Sequence, residues 1–98
     1  MIEIRETTAF SKWLEKLRDR QARTRITARI TRLRLGNPGD VRPIGDGISE
    51  LRIDYGPGYR VYYVQRGDVL IILLCGGDKD SQPTDIAKAK ELLNDLEV

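Results

Sequence analysis

Histidine is absent from the 98 residues, and cysteine occurs once. Without an imidazole, a Ser-His-Asp triad and histidine-based general acid–base catalysis are excluded. One thiol and no histidine also exclude a structural zinc site, and a lone Cys75 cannot form an internal disulfide. Cys75 follows an apolar stretch and is read as a small core residue, which fits a reducing cytoplasm. No apolar run approaches about 18 residues and no signal-peptide core is present, so a soluble, cytoplasmic chain with no membrane partner is expected. The segment GGDKDS lacks the GxxxxGK[ST] spacing of a P-loop. Chemistry is left to Arg, Lys, Tyr, Asp and Glu, or to a hard metal held by carboxylates such as Asp78, Asp80 and Asp85. Those three acids are read instead as turn and cap residues, and no cofactor is expected.

What is present fits one domain spanning residues 1–98, with 40% hydrophobic residues to build one modest core. The formal net charge is only +2 but is unevenly spread. Residues 1–34 carry ten basic and four acidic side chains, whereas residues 78–98 carry three and six. A basic first third points to a polyanionic partner.

Met1 to Arg5 alternates as a short strand does. Thr7 or Thr8 is placed to cap a helix whose apolar face is Phe10, Trp13, Leu14 and Leu17. Asp19 is placed to cap a second helix with a stripe of Ala22, Ile26, Ile30 and Leu33. Around that stripe, residues 18–34 hold seven arginines and one acid. Three readings stand for this face: phosphate contacts to nucleic acid, with Arg23 and Arg29 as candidate residues, a solvated surface, or a face covered by an acidic protein partner. Gly36-Asn37-Pro38-Gly39 stops the helix, and residues 40–47 read as a loop.

Residues 49–82 then read as an antiparallel meander. Leu51 and Ile53 alternate with Arg52 and Asp54, Gly56-Pro57-Gly58 turns the chain, and Tyr59–Val64 is aromatic and β-branched. Arg66-Gly67-Asp68 makes the next turn. Val69–Leu74 is apolar throughout, as in a strand covered on both faces, and Gly76-Gly77 ends it. A polar connector leads to a closing helix with Ile86, Ala89, Leu92, Leu93 and Leu96 on its apolar face. Arg52 and Arg60 fall on facing strands of the first hairpin. Sharing a face, the two guanidinium groups repel, which suggests an anion between them; the alternatives are two solvated arginines, or pairs with Asp54 and Glu50.

With these segments assembled, the chain resembles the RelE/ParE superfamily of toxins, and more closely its HigB-like branch of addiction module killer proteins. The residues that carry the resemblance are ELRI, GPGYRVYY, the apolar strand and LLCGGDKDSQPTDIAKA, in the same element order. The resemblance implies an α+β, RelE-like β-α-α-β-β-β-α domain: a small, mainly antiparallel sheet with two N-terminal helices packed on it and a closing C-terminal helix. It further implies a type II toxin acting as a metal-independent, ribosome-dependent mRNA endoribonuclease. The implied partners are mRNA on the ribosome and a cognate antitoxin of helix-turn-helix type, with DNA reached only through that antitoxin. By position in the motif, Arg60 matches the arginine that contacts the scissile phosphate, with Arg52 and Lys79 as supporting catalytic groups. Gln82 and Asp85 are the weaker matches for substrate positioning. Where relatives can carry a catalytic tyrosine, this chain has Pro83, Thr84, Asp85 and Ile86. A ParE-like gyrase inhibitor without chemistry and an inactive antitoxin-binding relative remain as alternatives.

Overall fold

The computed structural model describes residues 2–96; Met1, which opens the expected first strand, lies outside them with Glu97 and Val98. In chain order the elements are β1 (Glu3–Glu6), α1 (Thr8–Lys16), α2 (Arg20–Arg34), β2 (Val41–Gly45), β3 (Ile48–Ile53), β4 (Tyr59–Arg66), β5 (Leu70–Asp78) and α3 (Gln82–Leu96). The five strands form one sheet in the order β1-β5-β4-β3-β2. Every pairing is antiparallel except β1 with β5. This is the small α+β architecture expected from the sequence, with one strand more.

The extra strand is β2, in the stretch read as a loop. It lies at the sheet edge, antiparallel to β3, with a register shift between Pro43 and Gly45. A proline is tolerated on an edge strand because its missing N–H faces no neighbour. Pro43 and the glycines are what hid the strand from its sequence pattern.

Period-2 alternation divides the sheet between two helical covers. Leu51, Ile53, Val61, Tyr63, Ile71 and Leu73 pack with Phe10, Ile26 and Leu33 of α1 and α2. Ile48, Tyr62, Val64, Leu74 and Cys75 pack with Ala89 and Leu93 of α3. Tyr62 pairs with Cys75 and Tyr63 with Leu73, so Leu74 is an inserted residue, and Leu74 and Cys75 both serve the α3 side. Val69, by contrast, is exposed rather than buried in the strand.

The helix starts follow their caps. Thr7 accepts the Phe10 N–H at 3.1 Å and donates to the Leu74 carbonyl at 2.5 Å, which ties the start of α1 to β5. The Asp19 carboxylate accepts the N–H groups of Gln21 and Ala22. Gly76 and Gly77 do not end β5, as their sequence suggests, but lie inside it. A Cβ at Gly76 would fall within the Trp13 ring, and one at Gly77 on the Asp85 carboxylate. The paired glycines let a helix approach β5 closely on each face.

Candidate functional site

Arg52 and Arg60 are direct partners in the β3–β4 ladder. Their side chains therefore share the face on which Tyr62 lies, the face that α3 covers. That cover begins at Gln82, so the Arg52–Arg60 end of the face stays open. On β5 the residue opposite Arg60 is Gly77, over which Ser81 and Asp85 pack. Toward the β3–β4 turn lies a recess of about 460 Å³ lined by Asp40, Arg52, Ile53, Asp54, Gly56, Pro57, Gly58, Arg60 and Lys79. Gly56 and Gly58 both have positive φ, which only glycine adopts without strain, and they fold the β3–β4 turn against the recess. Gly58 also sits against the Lys79 side chain: a Cβ built there would lie 3.5 Å from Lys79 Cβ. The structure thus brings together the three basic residues that the motif singled out, from two strands and the turn after β5.

The two arginines are held differently. Arg52 donates through Nε and Nη2 to Asp40 Oδ1, at 3.1 and 2.7 Å. This charge-assisted pair holds the Asp40 carboxyl below the usual carboxylate range and raises the guanidinium's already high pKa. Asp40, rather than Asp54 or Glu50, is therefore the neutralising acid for Arg52. Arg60 has no such lock. Its Nε is buried without a hydrogen-bond partner. The nearest carboxylate, Glu50, has Oε2 4.0 Å away, beyond hydrogen-bond range. The Arg60 side chain is 14% exposed; with Nε covered, that exposure belongs to its other atoms, in a residue that lines the recess.

Under Arg60 lies an unusual group, the buried carboxylate of Glu50. It is fully buried and accepts hydrogen bonds from the Tyr62 hydroxyl at 3.1 Å and the Gln82 amide at 2.6 Å. Arg42 Nη2 stands 3.5 Å from the other carboxylate oxygen, an ion pair without hydrogen-bond alignment. Burial, reinforced by Glu50, pushes the Tyr62 phenol well above its ordinary pKa, so it stays a hydrogen-bond donor. Sequence reasoning raised Glu50 only as a partner for the arginines. Its burial follows from cross-strand pairing with Tyr62, which no local pattern reveals. Asp40, too, carried no signal beyond its place after a glycine turn.

The remaining candidates lie elsewhere. Gln82 directs its amide to Glu50 and not to the recess. Asp85 accepts the Ser81 hydroxyl and packs over Gly77. Asp78 Oδ1 accepts the N–H groups of Asp80 and Ser81, shaping the turn before α3. Among the described residues no three acidic or cysteine side chains converge as metal ligands. Arg29 is a structural tie: its guanidinium donates to the carbonyls of Arg52, Pro38 and Asp40, fastening the chain after α2 to β3. Burial, and then nearby Arg32, lower its pKa. Arg23 lines a different groove, of about 700 Å³, with Leu14, Thr24, Thr27 and Ala28 of α1 and α2.

Two comparisons bear on kinship. An uncharacterized protein of Haemophilus influenzae is 53% identical over 95 residues, which cover 97% of this chain and 96% of that one. Residues 12–94, from the middle of α1 almost to the end of α3, match the family model described as phage derived protein Gp49-like (DUF891). The match takes in both arginine strands, the Lys79 turn and the glycine pair, and the chain belongs to the phage-derived Gp49-like family.

Proposed function

We propose that this Gp49-like protein is the toxin of a type II toxin–antitoxin pair and acts as a metal-independent, ribosome-dependent mRNA endoribonuclease of the RelE/HigB kind. The observation that carries this reading is the pairing of Arg52 with Arg60 at the open end of a rigid sheet, with Lys79 beside them. Membership of a phage-derived family and the RelE-like element order are compatible with it.

The reaction is attack of a ribose 2′-hydroxyl on the adjacent phosphorus. A 2′-oxygen–phosphorus bond forms, the phosphorus–5′-oxygen bond breaks, and a cyclic phosphate is left. Arg60 binds the non-bridging oxygens, where charge builds in the pentavalent transition state. A guanidinium does this with two parallel N–H donors and keeps its charge at any cellular pH. One such preorganised donor is worth about 3 kcal/mol, on the order of a hundredfold in rate. Arg52, steadied by Asp40, supports the same phosphate. Lys79 donates the proton that the departing 5′-oxygen needs, and the 2′-hydroxyl proton leaves to water at the open mouth. With no histidine to serve as base, orientation of the mRNA by the ribosome supplies the rest of the acceleration. A cognate antitoxin of helix-turn-helix type neutralises the protein and provides its link to DNA.

Induced expression in a bacterial host, with mRNA 5′ ends mapped and plasmid supercoiling followed, tests the proposal. Wild type should arrest growth with cuts confined to translated messages, and Arg60→Ala should abolish both. Growth arrest with intact mRNA and lost supercoiling would replace this reading with gyrase inhibition.

A further inference from the structure

The recess does not end at Asp54. A second hollow of about 320 Å³, lined by Arg25, Ala28, Arg29, Arg32, Ile53 and Asp54, shares both Ile53 and Asp54 with it. The two hollows flank these shared residues where the chain leaves β3. The first offers Arg52, Arg60 and Lys79; the second offers Arg25 and Arg32 of α2, both exposed. Arg25 stands over the Tyr55 ring, its guanidinium carbon 4.6 Å from the ring centre, and Tyr55 is fixed in turn by Asp19 and Gln21. Arg29 between them is engaged with backbone carbonyls and forms the floor. At the junction the exposed carboxylate of Asp54 interrupts the positive charge.

We propose that these hollows form one track for single-stranded RNA, in which Asp54 reads a ribose 2′-hydroxyl between two phosphate-binding arginine clusters. The inference rests on reading the Arg52–Arg60 recess as a phosphate site. An ionised carboxylate only accepts hydrogen bonds. Set between cationic groups, it repels a phosphate that passes over it and favours a strand that offers a donor there. Each ribose offers such a donor, and deoxyribose does not. The track also separates three positions of α2 by role: Arg25 and Arg32 bind the strand, Arg29 holds the fold, and Arg23 faces the other groove, between α1 and α2.

The test is fluorescence anisotropy with a 12-nucleotide oligouridine RNA and its deoxyuridine counterpart. No ribosomes are present, so no cleavage is expected. Wild type should prefer RNA by about fivefold, the effect of one hydrogen bond. Asp54→Asn should bind the DNA more tightly and bring the preference close to one. Arg25→Ala and Arg32→Ala should each weaken RNA binding about three- to tenfold and lower the salt slope by about 0.7. Arg25→Lys, which keeps the charge, should recover most of the loss and the slope. Arg23→Ala should change affinity less than twofold. Equal losses at Arg23 and Arg25, an unchanged RNA preference in Asp54→Asn, or no RNA binding by wild type would each overturn the track. Loss of cleavage with this binding pattern intact would instead overturn the enzymatic reading alone, and cleavage that persists with Arg25, Arg32 and Asp54 neutral would overturn the track alone.

Discussion

At the scale of single residues, the protein combines one loosely held guanidinium with one tightly held carboxylate. Glu50 is fully buried, and its neighbours Tyr62 and Gln82 depend on it as an acceptor. Removing it leaves a buried hydroxyl and a part-buried amide unpaired, and each such group costs about 1–3 kcal/mol. Glu50→Ala should therefore lower the urea-unfolding free energy by about 2–4 kcal/mol, whereas Glu50→Gln, which keeps an acceptor oxygen, should lose clearly less. Equal losses would show that the carboxylate geometry does not matter. Cys75 makes the opposite case, a reactive atom made inert. Burial, with Asp85 nearby, pushes its thiol up to about 12, so almost no thiolate exists in the folded chain at pH 8. A raised pKa of this kind favours the neutral thiol, and the stability it brings fades only as pH rises above the unfolded value of about 8.5. Native protein at pH 8 should leave an aromatic disulfide reagent unconsumed, and one thiol should react once denaturant is added. Rapid reaction of the native chain would contradict its burial.

At the scale of elements, the glycine pair in β5 decides how closely two helices approach the sheet. Gly76→Ala presses a methyl group into the Trp13 ring, and Gly77→Ala presses one onto Asp85 and Ser81. Overpacking of this kind costs about 1–3 kcal/mol, so each variant should melt several degrees below wild type by circular dichroism. A neutral Gly76→Ala would mean that α1 shifts freely on the sheet. These same elements show what was legible beforehand. The stripes of α1 and α2, the Thr7 and Asp19 caps and the β3–β4 hairpin follow from spacing and turn chemistry, which act within a few residues. The arginine pair was legible too, because hairpin register follows from the turn and the alternation. Edge strand β2, the inserted Leu74 and the burial of Glu50 were not, since each is set by a neighbouring strand. The different surroundings of Arg23, Arg25 and Arg29 also depend on which element α2 meets at each turn, which a run of arginines does not encode.

At the scale of the whole molecule, the sheet is covered by α1 and α2 on one face and by α3 on the other, with one end left open. The long strands β4 and β5 lie beside each other within the sheet, β4 at its centre, and β1 and β2 form its edges. Amide exchange should accordingly be slowest in β4 and β5 and fastest among the strands in β2, whose outer edge pairs with no described strand. Such a gradient gives the Arg60-bearing strand the most rigid support in the chain, which is what a preorganised phosphate contact requires. The most direct measurement is single-turnover cleavage of a defined mRNA on purified, programmed ribosomes. Wild type should cut within the message and leave a cyclic phosphate, while folded Arg60→Ala should be slower by about a hundredfold or more. Arg60→Lys should recover only part of that loss, because an ammonium lacks the paired donors. Cutting at an undiminished rate by Arg60→Ala would contradict the account.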